Sequence, residues 1–201
     1  MLNRPNGPGK REELKFPMIQ VVLRRRSWPI LGGIVILGLG IGMVSAVCKV
    51  SAVSGFRAGW QGIPIYLALA GVCGRIANCK VILREEGLIV VNPLRSHFLP
   101  AWAIHDAVVA DGGTLEVRLS EGRAVSVFAF GGSLIDRFRG SSRRAELEIR
   151  AWLSSVRAVS DVKSRTAPQA YWTRCLSADV SIALSAAVSG AGVIWMAVTG
   201  K

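Results

Sequence analysis

Residues 28–48 read WPILGGIVILGLGIGMVSAVC, which is 21 residues without a single charged side chain. A helix needs about 20 predominantly apolar residues to cross the roughly 30 Å hydrocarbon core of a bilayer. The stretch is also longer than the roughly 7 to 15 apolar residues of a secretory signal peptide. We therefore predict an uncleaved membrane-spanning helix over residues 28–48.

Two further stretches lack charge over comparable lengths. Ala58–Gly74 has 17 uncharged residues and Val180–Gly200 has 21. Extended by their apolar flanks, they predict membrane helices over residues 58–77 and 176–200. Tryptophans lie at or near the ends of the predicted helices, where amphipathic rings prefer the headgroup level.

The second predicted helix is the shortest and contains Gln61 and Pro64. A re-entrant or interfacial segment is the alternative interpretation of this stretch. Arg75 follows it, and we expect its long side chain to reach back to the lipid headgroups. Asp179 falls in the first turn of the third helix, where the helix dipole favours a carboxylate.

The overall composition excludes several classes of protein. Hydrophobic residues make up 51% of the 201 residues and charged residues only 19%, against about 25% charged in an average soluble domain. The mean hydropathy is +0.40, yet the net charge is +12. These values exclude a simple secreted domain, a disordered tail and a coiled coil, and they indicate a membrane protein with basic aqueous parts.

The distribution of basic residues predicts the orientation. Seven Lys and Arg precede residue 28 and fifteen lie between residues 75 and 175, whereas three lie in the remaining extramembrane positions. Short segments rich in Lys and Arg remain in the cytoplasm, and Arg24, Arg25 and Arg26 directly adjoin the first helix. We therefore expect a multi-pass protein of the cell inner (plasma) membrane, with residues 1–27 cytoplasmic and the C-terminus outside.

Residues 78–157 are typical of a small cytoplasmic α+β domain. Apolar or alternating runs separated by turn residues such as Glu85-Glu86-Gly87 and Asn92-Pro93 predict a set of antiparallel strands. The strands are predicted at 81–83, 88–91, 94–99, 115–119 and 125–129, and the last two form a hairpin around Glu121-Gly122.

The hydrophobic period then changes to that of a helix. Ala145, Ile149, Trp152, Leu153 and Val156 form one apolar stripe of an amphipathic helix. Ser141 or Ser142 is the expected cap at its start. Strands followed by one such helix predict an antiparallel sheet or partial barrel with a C-terminal helix, and residues 158–175 are predicted to be a basic linker to the third membrane helix.

This domain resembles a known family, and the motifs that carry the resemblance lie in its first part. Glu86-Gly87-Leu88, Val91-Asn92-Pro93-Leu94-Arg95, Leu99-Pro100 and Ile104 are similar to the bacterial pleckstrin-homology-like (PH-like) domain of the low-molecular-weight protein antigen family. The resemblance covers about 80 residues and implies a membrane-associated PH-like fold. The family places Trp directly after the proline, but here Ala101 takes that position and Trp102 follows it.

The motifs of common enzymes do not occur in the sequence. Ser160-x-x-Lys163 matches a catalytic string, but it lies in the predicted linker, and His97 and His105 have no evident partners. The four cysteines do not form a C-x-x-C pair or a pattern with His at ligand spacing. We therefore expect neither catalysis nor a cofactor nor a metal site.

Basic side chains are the strongest functional signal. Arg137, Arg139, Arg143 and Arg144 precede or begin the amphipathic helix, and each cation near an anionic leaflet contributes about 1 kcal/mol of attraction. We interpret them as contacts to lipid headgroups or to a protein partner. The alternative is that they only retain the domain in the cytoplasm. Nucleic acid is not an expected partner, because aromatic residues do not interleave the basic cluster.

Small residues at four-residue spacing predict where helices pack. Gly38 and Gly42 lie in the first predicted helix, and Ala186 and Gly190 lie in the third. Such spacing lets two helices approach closely. We expect packing between helices of the same chain, with homo-oligomerisation as the alternative.

Together these features lead to a functional hypothesis. We expect a non-enzymatic integral membrane protein whose cytoplasmic PH-like domain serves protein interaction or scaffolding at the inner leaflet. One alternative is a module that senses anionic lipid. A small transporter or channel accessory subunit is the weakest alternative, because Gln61 and Asp179 are the only candidates for a polar path.

Overall fold

A computed structural model of the chain describes residues 21–25, 27–131, 140–159 and 167–199. Within these ranges the chain forms a group of apolar helices and a compact α+β domain. The helices are α1 (Ser27–Ser54), α2 (Phe56–Gly59), α3 (Gly62–Ala77), α4 (Ser141–Val159) and α5 (Leu176–Val198).

Two of these helices are long and apolar enough to cross a membrane. α1 has 28 residues with a mean hydropathy of 2.4 in its most apolar window, and α5 has 23 residues with a value of 1.8. Almost no side chain in these windows is buried within the chain, 0% in α1 and 6% in α5. Helices that expose this much apolar surface are typical of a protein whose surroundings include lipid.

The second predicted helix is interrupted near its start. Residues 58–77 were expected to form one helix, but α2 ends at Gly59 and α3 begins at Gly62. Trp60, between them, is buried. α3 itself has 16 residues, about 24 Å at 1.5 Å per residue.

Helix α3 packs against both long helices. Two serines of α5 donate hydrogen bonds to carbonyl oxygens of α3, from Ser181 Oγ to Leu67 O at 2.8 Å and from Ser185 Oγ to Pro64 O at 2.7 Å. On the other side, Tyr66 Oη donates to Ile36 O of α1 at 3.4 Å. Polar side chains thus join α3 to its two neighbours within an apolar setting.

The strands of the α+β domain form two antiparallel sheets. The first sheet has five strands in the order β1-β2-β3-β4-β8, and the second has three in the order β5-β6-β7. The strands are β1 (Val21–Leu23), β2 (Lys80–Leu83), β3 (Gly87–Val91), β4 (Arg95–Pro100), β5 (Ile104–Val109), β6 (Leu115–Leu119), β7 (Ala124–Ser126) and β8 (Gln169–Trp172).

The core lies between the two sheets and helix α4. Val81 and Val90 face each other across β2 and β3, and Val117 comes from the second sheet; all three are fully buried. Ile149 and Leu153 of α4 complete this cluster. Because these two side chains are buried in the core, the predicted amphipathic helix is confirmed as its cover. Burial of one such side chain contributes about 1.5 to 3 kcal/mol.

Three strands were not among the sequence predictions. β1 has three residues and β8 four, too few to establish an alternating pattern. Every residue of β8 is exposed, and it lies where a linker was expected. β5 departs from simple alternation because its register against β6 shifts between Ile104 and Asp106.

The structure differs from the sequence predictions where the second sheet leads into α4. The last predicted strand ends at Ser126, and Phe128–Phe130 form a turn of 3₁₀ helix instead. The two serines expected to cap α4 both lie within the helix, which begins at Ser141, and the Oγ of Ser142 donates to Phe130 O at 3.3 Å. Gly140 precedes the helix with φ 60°, a conformation that glycine adopts readily.

The five-stranded sheet is joined directly to the helices. β1 leads into α1, α3 leads into β2, and β8 leads into α5. Because β1, β2 and β8 belong to one sheet, the start of α1, the end of α3 and the start of α5 all lie at the same end of the helical group. The domain therefore adjoins the helices through three covalent connections.

Candidate functional site between the helices and the domain

A buried arginine lies where the helices meet the domain. Arg75, in the last turn of α3, is only 9% exposed. Its Nη2 donates to Asp179 Oδ1 of α5 at 2.5 Å, and its Nη1 donates to Pro93 O in the β3–β4 turn at 3.2 Å. Its guanidinium carbon also lies 5.1 Å from the ring centroid of Trp172 in β8. We expected this side chain to reach the headgroups, and that prediction was wrong.

Asp179 organises the start of α5. Its Oδ2 accepts a hydrogen bond from the backbone N–H of Cys175 at 3.2 Å, while Oδ1 holds Arg75. A carboxylate in the first turn of a helix also interacts favourably with the helix dipole. The pair of Arg75 and Asp179 thus fixes α3, α5, the β3–β4 turn and β8 to one another.

Strand β8 is held to the sheet by side chains as well as by its backbone. Thr173 Oγ1 donates to Asn92 O at 2.8 Å. Since a hydroxyl has one proton, the 2.8 Å contact between Ser96 Oγ and Thr173 Oγ1 has Ser96 as its donor. Ser96 and Thr173 are both buried, so the position of β8 is firmly defined at its C-terminal end.

A basic groove lies beside this junction, between β1, the start of α1 and the start of α4. Its volume is about 540 Å³. Arg24 Nη2 donates to Ala77 O at the end of α3 at 2.9 Å, and Arg25 Nε donates to Ser27 Oγ at 2.8 Å. The groove is lined by Val22, Leu23, Arg24, Arg25, Ser27, Phe130, Ser141, Arg144, Ala145 and Glu148.

The basic groove brings together arginines that are distant in the sequence. Arg24, Arg25 and Arg144 all line it, with Glu148 as the only carboxylate among the described lining residues. Arg143 is exposed beside Arg144 but does not line the groove. Of the other predicted basic site residues, Arg26, Arg137 and Arg139 lie outside the described residues.

The predicted small-residue positions are not points of close contact between the described helices. A Cβ on Gly38, Gly42 or Gly190 would meet no described atom within 4 Å, and Ala186 is exposed. Gly38 and Gly42 line an apolar cleft between α1 and α3, but none of the four residues is a point of close helix contact, so the expected packing stays a prediction. The spacing was right for close approach, but it did not specify which face of each helix meets the next.

Other small residues mediate the helix contacts. A Cβ on Gly71 of α3 would lie 2.5 Å from Ile182 Cγ1 and 3.1 Å from Ala178 O of α5. The ring of Trp60 occupies the space where a Cβ on Gly192 would lie. On α1, a Cβ on Gly40 would lie 3.1 Å from Tyr66 Oη.

Sequence reasoning missed the roles of Arg75, Asp179 and Trp172. A usable signal was present, because Arg75 and Asp179 have opposite charges and are the only charged residues within the predicted helices 58–77 and 176–200. Such a pair reduces the cost of placing either charge near the bilayer. Nothing in the sequence around Trp172 indicated a strand that would bring its ring to Arg75.

Titratable side chains of the domain respond to burial. Burial raises the pKa of the Cys79 thiol to about 12, with a smaller contribution from Cys175. A thiol with a raised pKa remains protonated at neutral pH and is a weak nucleophile. Burial, and then the charge of Arg95, lowers the pKa of His97. Among the described residues, no group of three or more His, Cys, Asp and Glu is placed to hold a metal ion.

Comparisons with protein-family models, with curated proteins and with solved structures found no match to this chain.

Proposed function

We propose that this chain is an integral membrane protein that presents a PH-like domain to the cytoplasm for interaction with a protein partner. The observation that carries the proposal is the junction at Arg75. This buried guanidinium connects two apolar helices, the β3–β4 turn and β8. A domain held in this way has a fixed orientation relative to the helices, as a docking platform at a membrane surface requires.

The proposed topology has three spans. α1, then α2 and α3 together, and then α5 cross the inner membrane, with the N-terminus cytoplasmic and the C-terminus outside. The three connections between helices and sheet lie at one end of the helical group, which requires α3 to return across the bilayer that α1 crossed. Arg24 and Arg25 at this end support a cytoplasmic location.

The PH-like assignment is supported by the order of elements in the domain. Strands β2 to β7 form two antiparallel layers, and α4 follows them in the chain and covers their core. The resemblance implies this combination of antiparallel strands and a C-terminal helix. In addition, β1 and β8, from the flanking segments, extend one layer.

Photo-crosslinking in cells tests the interaction role. A photoreactive residue would replace Ser120, Leu147 or Tyr171, which are exposed on different parts of the domain. Val53, 87% exposed at the far end of α1, would be the control position. We expect a discrete adduct with a second polypeptide from at least one domain position and none from Val53. If no domain position gives an adduct, the chain does not present an interaction domain.

The basic groove favours anionic-lipid contact as a second candidate function. Arg24 and Arg25 directly precede α1, where headgroups would adjoin the proposed span, and Arg144 faces them from the first turn of α4. Each arginine contributes about 1 kcal/mol of attraction. We expect Arg24→Gln with Arg144→Gln to reduce several-fold the anionic lipid that copurifies with the full chain. Arg118→Gln, at an exposed strand position, is the matched control. Equal lipid retention in both variants would remove this candidate.

A further inference from the structure

Three helix ends that adjoin the domain lie at one level. Arg24 Nη2, just before α1, donates to Ala77 O at the end of α3 at 2.9 Å. Arg75, in the last turn of α3, is paired with Asp179 in the first turn of α5. α1 and α5 are both long and apolar enough to cross a membrane. In the proposed topology, this level is therefore that of the lipid headgroups on the domain side.

Three exposed apolar side chains of the domain lie at the same level. The ring of Phe128 is 6.3 Å, centroid to centroid, from that of Trp28 in the first turn of α1. Leu94 lies in the β3–β4 turn, to which Arg75 donates a hydrogen bond, and the ring of Trp172 contacts the guanidinium of Arg75. Leu94 is 59% exposed, Trp172 58% and Phe128 42%. These three residues, Leu94, Phe128 and Trp172, are called here the apolar rim.

Contact with lipid stabilises side chains of this kind at this level. Single exposed apolar residues are common on protein surfaces, but each member of the apolar rim adjoins the end of a proposed span. Aromatic rings are enriched at the headgroup level of membranes. Apolar side chains on a membrane-bound surface insert into the boundary between headgroups and acyl chains. The apolar rim therefore has both the chemistry and the position of an interfacial contact.

Basic side chains flank the apolar rim. Lys80 begins β2 shortly after α3 ends, Arg95 follows Leu94 in the chain, and Arg174 lies between β8 and α5. Arg95 and Arg174 are exposed, and none of these three cations forms an ion pair with a described residue. Basic side chains beside an apolar surface keep their stems in the apolar zone and extend their charges to lipid phosphates. The combination matches a leaflet, in which phosphate groups overlie an apolar layer.

The opposite end of the domain lies well away from the helices. β4 starts beside the apolar rim and has six residues, about 20 Å at roughly 3.3 Å per residue. Trp102 lies in the 3₁₀ helix that follows β4 and is 52% exposed. The backbone N–H of Ser120 donates to Ala103 O at this end. Trp102 and Trp172 are therefore a matched pair, with the same side chain and similar exposure at opposite ends of the domain.

We propose that the apolar rim inserts into the headgroup region of the cytoplasmic leaflet, so that the bilayer surface is itself a binding partner of the domain. The apolar rim lies at the boundary of headgroups and acyl chains, and the flanking cations bind lipid phosphates. The opposite end of the domain, with Trp102, faces the cytoplasm and is left for the proposed protein partner. This inference rests on the proposed topology and adds the surface through which the domain contacts lipid.

A lipid surface fits these observations better than a protein partner. The members of the apolar rim come from three separate segments, and they adjoin α1 on one side and α3 and α5 on the other. In the proposed topology, lipid surrounds these helix ends. A protein would have to displace that lipid to cover the apolar rim, whereas the leaflet reaches all of its members at once.

Electron paramagnetic resonance of single nitroxide labels on the full chain tests the inference. The four native cysteines are replaced by serine, and the chain is reconstituted in vesicles of phosphatidylethanolamine and phosphatidylglycerol. Single cysteines for labelling are Leu94→Cys, Phe128→Cys and Trp172→Cys in the apolar rim, and Trp102→Cys and Ser120→Cys at the opposite end. Oxygen concentrates in the bilayer and a neutral nickel chelate in water, so the ratio of their collision rates with a label reports its depth.

A reference label separates this inference from the proposed topology. Ile34→Cys, at a position of α1 that is 63% exposed, reports whether α1 lies in the bilayer. Thermal unfolding of each labelled chain establishes that it is folded before the ratios are compared. Arg95→Glu with Arg174→Glu tests the flanking cations, and Arg118→Glu, at an exposed position of β6, is the matched control.

We expect the ratio of oxygen to nickel collisions to be at least about threefold higher at the apolar rim than at Trp102→Cys and Ser120→Cys. Arg95→Glu with Arg174→Glu should lower the ratio at the apolar rim, and Arg118→Glu should not. Equal ratios at Trp172→Cys and Trp102→Cys would overturn the proposal. Labels shielded from both reagents would show that protein covers the apolar rim, and would also overturn it.

The reference label decides which proposal has failed. If Ile34→Cys collides mainly with oxygen while the apolar rim collides mainly with the nickel chelate, the rim contact is rejected and the membrane topology stands. If Ile34→Cys itself collides mainly with the nickel chelate, α1 does not lie in the bilayer and the proposed topology is rejected as well.

Discussion

The α+β domain and the helical group of this protein are built on opposite principles. In the domain, branched aliphatic side chains such as Val81, Val90 and Ile149 are fully buried. In the helices, large apolar side chains point outward, and the contacts are made by glycines, serines and one ion pair. The comparison shows that the two parts are adapted to different surroundings. In water, the hydrophobic effect drives apolar side chains into a core. In lipid that driving force is absent, and helices associate through close packing and hydrogen bonds.

The largest predicted effect is at the domain core. Ile149→Ala removes a fully buried side chain of α4, and we expect it to lower the free energy of unfolding of the domain by about 2 to 5 kcal/mol. Leu147, on the same helix, is 60% exposed, so Leu147→Ala is the control. We expect it to change the free energy of unfolding by less than about 0.5 kcal/mol. Denaturant titration of the detergent-solubilised chain, followed by Trp fluorescence, measures both. Similar losses in the two variants would contradict the assignment of the core face.

The junction between the two regions comes next. Asp179→Asn leaves the guanidinium of Arg75 buried without its carboxylate, since the side chain of Arg75 is 10% exposed and that of Asp179 35%. We expect a loss of about 2 to 3 kcal/mol, below the roughly 3 to 5 kcal/mol of a fully buried pair.

Arg75→Ala is the informative partner of this variant. In this variant Asp179 keeps access to water. We therefore expect loss of the ion pair to lower the free energy of unfolding less than it does in Asp179→Asn. Thermal unfolding in detergent compares the two, with Asp111→Asn at an exposed turn as the control. No loss in Asp179→Asn would show that the pair does not join the helices to the domain.

Close packing of the helices provides the third prediction. A Cβ on Gly192 would overlap the ring of Trp60, so Gly192→Ala is expected to destabilise the helical group by about 1 to 3 kcal/mol. Gly190→Ala, two residues earlier in the same helix, adds its methyl to open space. The unfolding temperature in detergent should fall in the first variant and not in the second. If Gly190→Ala lowered the unfolding temperature and Gly192→Ala did not, the helices would instead meet at the small-residue face predicted from the sequence.

The smallest effect concerns an exposed ion pair on the domain surface. Arg150 Nε and Nη2 donate to the Asp106 carboxylate at 2.9 and 2.8 Å, and these hydrogen bonds are the main cause that lowers the pKa of Asp106. The pair therefore contributes stability above the ordinary pKa of about 3.9, and this contribution is lost as the pH falls through the lowered pKa. Because both side chains are about a third or more exposed, Asp106→Asn should cost less than about 1 kcal/mol at neutral pH.

The pH dependence of unfolding checks this prediction. Asp106→Asn should lose less stability than the unmodified chain when the pH falls below about 4. Glu121→Gln breaks a more exposed pair with Arg123 and serves as the control. If Asp106→Asn and the unmodified chain lose the same stability at low pH, the pair between Asp106 and Arg150 adds no stability.

The domain was the more predictable region because its hydrophobic pattern has a defined period. Strands at 81–83, 88–91 and 115–119 and the stripe around Ile149 were all anticipated. β1 and β8 were not, because three or four residues carry no periodic signal and β8 gains its position from Thr173 and Ser96. Backbone pairing with β2 and β4, which is set by tertiary structure, decided these elements.

The site was less predictable than the fold. The sequence identified Arg24, Arg25 and Arg144 as basic candidates, but only the packing of β1 beside α4 placed them in one groove. The burial of Arg75 depended on Pro93 in the β3–β4 turn and on Trp172. The turn was predicted, but no local pattern indicated that the turn and Trp172 would meet at Arg75. Small-residue spacing marked helices able to approach closely, but not the faces of Gly71 and Gly192 that do so.

Cysteine accessibility tests the central claim most directly, namely that the α+β domain lies on the cytoplasmic side of a membrane that the helices cross. All four native cysteines would be replaced by serine. Single cysteines would then be introduced at Ser120, exposed on the domain, and at Ser54, exposed at the far end of α1. A membrane-impermeant maleimide is applied to spheroplasts. We predict that Ser54→Cys is labelled directly and that Ser120→Cys is labelled only after permeabilisation. Labelling of Ser120→Cys in intact spheroplasts would contradict the account.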